Sequence, residues 1–259
     1  FVLWGFSLLS GAGASVLRSV IMFSFIVIGE SMARQVSVYH TLAASAFFLL
    51  CWNPFLLWDV GFQLSYAAVL SIVIFLRPVT NWFYFRNKII DHIWKLLSVT
   101  IAAQILTTPL SIYHFHQSPN FFLLSNLIVV PLSGIILYGA ILLCIIAAVS
   151  VPATIPGQIL SFLLKCMNGF TAWVNDLPYA VSDGIVLSVV QVLLLYAFIT
   201  GVAAWLMFKK SGAVWPALLC LLLFAGIRMA DIYHKTGKAT MVVYNVPRYT
   251  AIDFFDNEQ

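Results

Sequence analysis

Long apolar segments separated by short polar breaks make up most of the chain. About 20 helical residues cross the hydrocarbon core of a bilayer, and several of the segments approach that length. Glycines within 10–13 predict an early turn, while Pro54 and Asp59 predict the end of one helix and the start of the next. The pattern therefore predicts the end of a membrane helix at 1–9 and further membrane helices at 14–33, 36–52, 60–76, 96–111, 185–208 and 213–227.

The apolar stretch 121–149 is too long for one plain helix. Asn126 and Pro131 interrupt it, and a proline removes a backbone hydrogen bond from a helix interior. The sequence therefore predicts a broken helix or a re-entrant segment in this stretch.

Residues 155–177 differ from the other segments, because polar side chains recur there at three- and four-residue steps. These side chains are Gln158, Ser161, Lys165, Asn168 and Asn175, and apolar side chains cover the other faces. The pattern predicts an amphipathic helix that lies in the interface or faces a wet interior. Whether this helix crosses the bilayer is left open by the sequence.

The chain changes character after residue 238. Residues 239–259 read as two strands around a turn at Pro247 and Arg248, which predicts the start of a truncated extracytoplasmic soluble domain. Residues 1–238 are predicted to form a membrane domain that begins in mid-domain. The basic loop 77–95, together with Lys209 and Lys210, is predicted to be cytoplasmic by the positive-inside rule, which leaves the residues after Arg228 outside.

Composition supports a bilayer as the solvent of this fold. The chain is 62% hydrophobic and 8% charged, with a mean hydropathy of +1.00. A soluble domain of this size cannot hide so much apolar surface. We predict an all-α polytopic membrane protein: a helical bundle with a broken or re-entrant segment, one amphipathic helix and a short β segment at the C-terminus. The small net charge of +4 is expected to set orientation.

Arg18 is the first candidate functional residue, because a cation about one turn inside an apolar helix is costly in lipid. On a helix it shares a face with Gly11, Ala14, Ser15 and Met22, and small residues let a second helix approach closely. We expect the side chain to point into protein, where it should meet a partner, a water path or a ligand. Snorkelling to the nearby interface is the alternative.

Neutral polar residues form a stripe along one face of the predicted helix 96–111. Thr100, Gln104, Thr107 and Ser111 follow one another at steps of four, three and four. Such a stripe suits a water-lined path, although each residue alone also fits ordinary hydrogen bonding between helices. Further candidates for the lining of a path are Gln63, Asn126 and Lys165.

The sequence supports no catalytic or metal site. Asp59 is predicted to cap a helix, and His114 and His116 have no third ligand nearby. No metalloprotease, serine-hydrolase or phosphate-loop motif occurs, and the four cysteines stand singly in apolar stretches. We expect a protein that is not an enzyme and that needs no cofactor.

Four stretches stand out along the chain: "SGAGASVLRSVIM" (10–22), "NPFLLWDVGFQLSYAAVLSI" (53–72), "SNLIVVPLSG" (125–134) and "WVNDLPYA" (173–180). Together, and in this order, they resemble the membrane domain of the ComEC family of bacterial competence proteins. The Gly-Phe-Gln-Leu-Ser block is the most specific of them. Where the soluble domain begins, the family often shows Asp-Val-Gly-Gln-Gly-Asp, whereas this chain has "NVPRYTAIDFF", so no nuclease site is carried over.

The resemblance implies a channel or permease for single-stranded DNA in the bacterial cytoplasmic (inner) membrane, acting during transformation. The implied partners are single-stranded DNA, the lipid bilayer and other competence proteins, with a homo-oligomer as an option. Two alternatives stay open from the residues alone. One is a permease for small molecules or lipids, and the other is a membrane anchor for a soluble extracytoplasmic domain.

Overall fold

The structure is a computed structural model that describes residues 2–9, 11, 13–31, 37–148, 154–208, 212, 214–235, 240–246 and 249–255. Nine α-helices and two small sheets occur within these residues. They fall into two compact units, Phe1–Val186 and Leu187–Gln259, each considered by itself below. The domain boundary predicted after residue 238 stays a prediction.

The first unit contains seven helices. They are α1 (Val2–Leu9), α2 (Ala14–Ser31), α3 (Val38–Trp52), α4 (Val60–Thr80), α5 (Lys88–Phe115), α6 (Phe122–Ala148) and α7 (Thr154–Asn175). The contacts between α4 and α5 are the most extensive, α2 packs on α3 and α4, and α6 packs on α5 and α7. Within the described ranges, five helices are long and apolar enough to cross a membrane, three of them in this unit. The prediction of an all-α polytopic membrane protein is confirmed.

Side-chain caps set the breaks around α4 as the sequence predicts. Asn53 accepts a hydrogen bond of 3.0 Å from the amide of Phe55, at the start of a 3₁₀ turn over Pro54–Trp58. Asp59 Oδ1 then accepts a hydrogen bond of 2.7 Å from the amide of Phe62. The carboxylate satisfies a backbone donor that the first turn of α4 leaves unpaired.

Replacing Asp59 with alanine is therefore expected to lower the free energy of unfolding by about 0.5–2 kcal/mol, the usual cost of losing such a cap. Unfolding of the full-length protein in mixed micelles would measure the loss. Asp59→Asn is the matched control, because asparagine caps helices about as well as aspartate. Equal losses in both variants would contradict the capping role.

The predicted loop 77–95 is wrong in extent, because most of it is helical. Helix α4 continues to Thr80 and α5 already begins at Lys88. Asn87 caps α5 by accepting from the amide of Ile89 at 3.0 Å, and Lys95 Nζ lies 2.7 Å from Asp91 Oδ2 one turn further on. This cap and this charge pair extend the helix into a stretch whose charged residues are typical of a loop.

The broken or re-entrant segment predicted at 121–149 is also wrong, since α6 runs without interruption from Phe122 to Ala148. Pro131 lies inside the helix and costs it one backbone hydrogen bond. Opening the helix at that point would expose several more backbone groups to lipid, so a continuous helix is less costly.

A small sheet that the sequence did not reveal joins the two ends of the α6–α7 pair. Strand β1 (Gln117–Pro119) pairs antiparallel with β2 (Val181–Asp183). His116 takes a left-handed conformation at the end of α5, with φ 56°, and its carbonyl accepts from the amide of Ile185 at 3.1 Å. Asn120 Nδ2 donates to the carbonyl of Tyr179 at 2.7 Å and to the hydroxyl of Ser182 at 2.9 Å. We call β1, β2 and Asn120 the clasp.

The second unit contains α8 (Val189–Phe208), α9 (Val214–Lys235) and the strands β3 (Thr240–Val246) and β4 (Tyr249–Phe255). Gln191 on α8 is fully buried and donates through Nε2 to Asp231 Oδ2 of α9 at 2.7 Å. Strands β3 and β4 pair antiparallel, which confirms the predicted hairpin. The predicted turn residues Pro247 and Arg248 lie outside the described residues, as do Lys209 and Lys210 of the orientation argument.

Candidate functional site

Three carboxamides from three different helices meet at one cavity of about 330 Å³ in the first unit. Gln104 comes from α5, Asn126 from α6 and Asn175 from α7. Phe121 and Phe122 form part of the wall. The other lining residues are Ser125, Thr171, Val174 and, from the clasp and the chain leading into it, Pro119, Ala180 and Val181. We call this cavity the carboxamide groove.

A second cavity of about 90 Å³ shares Gln104, Pro119 and Phe122 with the carboxamide groove. It extends along α5 past Thr108 and Ser111 to β1. No residue that lines either cavity is charged. The two cavities therefore form one neutral polar region beside α5.

The hydrogen bonds of Gln104 leave its amide nitrogen available. Gln104 Oε1 accepts from the hydroxyls of Thr107 at 3.2 Å and Thr108 at 3.1 Å. Within the described part of the chain, the side chains of Asn126 and Asn175 make no hydrogen bond to protein. The groove thus presents donors and acceptors that water or a ligand can use.

The structure splits the polar stripe predicted on α5. Gln104 and Ser111 line the cavities, while Thr107 orients Gln104. Thr100 is 9% exposed and bonds the carbonyl of Leu96 in its own helix, so it lines neither cavity. Ordinary helix packing accounts for Thr100, which the sequence cannot separate from the other stripe residues.

Arg18 lies in a different polar cluster, between α2, α3 and α4. Its Nε donates to Ser65 Oγ at 2.5 Å, and its Cζ lies 5.8 Å from the centroid of the Tyr66 ring. Tyr66 in turn shares a hydrogen bond of 2.9 Å with Ser45, and Ser15 lies 3.2 Å from Ser65 between the hydroxyl oxygens. We call these five residues the arginine cluster. None of them lines the carboxamide groove.

Arg18 is half-buried and contacts neutral groups. Among the described residues, the ion pair that the structure shows is the one between Lys95 and Asp91. The guanidinium therefore points into protein, as predicted, and no carboxylate of the described residues pairs with it. A guanidinium has five N–H donors, of which Ser65 takes one.

The last two predicted residues lie outside the cavities. Gln63 joins α4 to α5, because its Oε1 accepts from His114 Nε2 at 3.1 Å and its Nε2 donates to the carbonyl of Leu57 at 2.8 Å. Lys165 is exposed on the polar face of α7, six residues before Thr171 and hence about 9 Å from it along the helix axis. The hydrogen bond to Gln63 occupies Nε2 of His114. The described residues hold no group of three metal-ligating side chains.

Sequence reasoning missed Ser125, Thr171 and the clasp as parts of the groove. Asn175 was recognised as polar but not as a lining residue. Its position on the polar face of an amphipathic helix is the signal that could have found it. The clasp has no such signal, because its two strands have three residues each and lie far apart in the chain.

These features define a polytopic α-helical membrane protein in which three helices line a neutral polar groove. The family model described as Competence protein matches residues 1–210. The chain belongs to this family, which confirms the resemblance seen in its motifs. Membership connects the chain with competence.

Among curated proteins, the chain is similar to ComE operon protein 3 of Bacillus subtilis (strain 168). The two are 30% identical over 124 residues, which are 48% of this chain and 15% of that protein. The chain thus corresponds to a small part of a much longer relative. No solved structure matches it.

Proposed function

We propose that this region is a channel or permease domain that conducts single-stranded DNA across the bacterial cytoplasmic membrane during natural transformation. The observation that carries the proposal is the meeting of Gln104, Ser111 and Asn126 at two adjoining cavities. These three residues were selected from the sequence as lining candidates, and they come from two helices that are long enough to span a bilayer.

The distribution of charge around the site suits a polyanion. DNA phosphates are repelled by carboxylates and attracted by arginine and lysine. The lining of the two cavities contains no acidic residue, and two cations, Arg18 and Lys165, stand outside it. In this proposal the cations meet phosphates, while the neutral groove lets the strand pass without holding it too tightly.

The proposed domain is not itself an enzyme, and the energy for transport comes from other competence proteins. Its partners are single-stranded DNA, the lipid bilayer and those proteins. The proposal differs from a permease for small solutes or lipids in its cargo. It differs from a simple membrane anchor in needing water inside the groove.

Cysteine accessibility tests whether the groove is part of the conducting route. The full-length protein is prepared with its native cysteines, Cys51, Cys144, Cys166 and Cys220 among them, replaced by alanine. Asn126→Cys is then introduced and treated with a charged, membrane-impermeant thiol reagent, which reacts with thiolates in water. We expect rapid modification, slowing of the modification by single-stranded DNA, and a fall of DNA uptake to a small fraction of the untreated value.

Val130→Cys is the matched control, because Val130 lies on the same helix, is 51% exposed and lines neither cavity. Its thiol should react slowly and its modification should leave uptake unchanged. The proposal is wrong if Asn126→Cys is modified fully while uptake of DNA stays normal. A block of small-solute flux alone would favour the permease for small molecules.

A further inference from the structure

The carboxamide groove is poorly suited to phosphates but well suited to another part of a DNA strand. Phosphates are bound mainly by arginine, lysine and clusters of backbone amides. The groove has no charged lining residue, so a phosphate there would leave water without gaining a cation. The phosphates of a strand passing this site therefore have reason to lie elsewhere.

The groove's hydrogen-bonding groups match the edges of nucleobases. Each base edge mixes donors and acceptors, and asparagine and glutamine carboxamides carry one of each. Asn126 and Asn175 have both groups available towards the groove, as judged from the described residues. At Gln104 the two threonine hydroxyls occupy the oxygen, which fixes the side chain and leaves the amide nitrogen as a donor.

Two further features of the groove favour a single unpaired base. Phe121 and Phe122 supply aromatic surface beside the carboxamides, and bases stack on such rings whatever their sequence. The cavity of about 330 Å³ is at the small end of the range of ligand pockets, roughly 300–1,000 Å³. Such a volume suits one base at a time and not a base pair.

We propose that the carboxamide groove binds the edges of unpaired nucleobases, one at a time, through Gln104, Asn126 and Asn175. The inference rests on the proposed passage of single-stranded DNA and adds which part of the strand this site recognises. A carboxamide donates hydrogen bonds through its nitrogen and accepts them through its oxygen. The site therefore recognises that a base is present without distinguishing which base it is. The phosphates keep their contacts with cations outside the groove.

Binding of two probes by the full-length protein in lipid nanodiscs tests the proposal. One probe is a fluorescent oligothymidylate, and the other is an abasic strand of equal length and charge. Contacts with a base are worth about 1–3 kcal/mol, so the base-bearing probe should bind about 5- to 150-fold more tightly. The double variant Gln104→Leu/Asn126→Leu should lose most of this preference and keep its affinity for the abasic strand.

Gln158→Leu is the matched control, because Gln158 is an exposed carboxamide of α7 that lines neither cavity, and it should keep the preference. Equal loss of affinity for both probes in the double variant would contradict the role in base binding. So would a wild-type protein that binds both probes alike, although passage of DNA would still stand. A wild-type protein that binds neither probe would overturn the proposed function as well.

Discussion

Replacing Arg18 with alanine is expected to reduce DNA uptake about ten- to hundredfold, because a hydrogen bond to a charged group contributes about 1.5–3 kcal/mol. Arg18 is half-buried on α2, contacts only neutral side chains among the described residues, and leaves several N–H donors unused. A phosphate of the passing strand would supply the negative charge that the arginine cluster lacks. Uptake of labelled DNA by cells that carry the full-length protein measures the effect.

Two further variants separate the charge of Arg18 from the shape of the cluster. Arg18→Lys keeps a point charge but loses the planar donor fork, so uptake should fall to an intermediate value. Ser19→Ala changes a neighbouring exposed hydroxyl that, among the described residues, bonds the carbonyl of Ser15 alone, and it should leave uptake unchanged. Normal uptake in Arg18→Ala, at an unchanged amount of protein, would remove Arg18 from the route.

Replacing Ser71 with leucine should have the largest effect on stability. Ser71 is fully buried between α4 and α5, donates to the carbonyl of Ala102 and accepts from the amide of Leu106 at 3.1 Å. Its hydroxyl thus touches both ends of one turn of the neighbouring helix. A leucine would remove this contact and push α4 and α5 apart, which should lower the free energy of unfolding by about 2–4 kcal/mol.

Unfolding of the full-length protein in mixed micelles would measure this loss. Ser71→Ala removes the hydroxyl without adding volume and should cost about 1 kcal/mol, as hydrogen bonds between membrane helices do. The matched control is Ser133→Leu, at an exposed position of α6 where the hydroxyl bonds the carbonyl of Val130 in its own helix and no other described residue. Equal unfolding free energies for Ser71→Leu and Ser133→Leu would contradict the packing argument.

The sequence predicts the helices of this protein well where apolar length alone decides. It also locates local signals such as the cap at Asp59, which acts within one turn. It fails at the ends of α4 and α5, because the charged residues there stabilise helix through Asn87 and the Asp91–Lys95 pair. It also fails at Pro131. The proline costs the helix one backbone hydrogen bond, but breaking the helix there would expose many unpaired backbone groups to lipid, which costs more.

Only part of the candidate site can be predicted from the sequence. Gln104, Ser111 and Asn126 stand out because polar residues are rare in membrane helices. Gln104 and Asn126 line the groove, and Ser111 lines the adjoining cavity. Thr100 has the same pattern but faces a neighbour, and only the packing of α5 decides between the two outcomes. Ser65 is the hydrogen-bond partner of Arg18, and the sequence does not reveal this contact because it depends on how α2 lies against α4.

The clasp has a consequence for the path of the chain. It holds the residues before α6 against those after α7, so both lie at the same depth. Helix α6 is long enough to cross the bilayer. Six residues of chain, from Ala148 to Thr154, can span at most about 21 Å, whereas the hydrocarbon core of the bilayer is about 30 Å thick. A crossing by α6 would therefore have to be reversed along α7, which is not one of the five described helices long and apolar enough to cross a membrane. A crossing by α7 would carry Lys165, midway along the helix, to the centre of the bilayer, where an ammonium group requires water beside it.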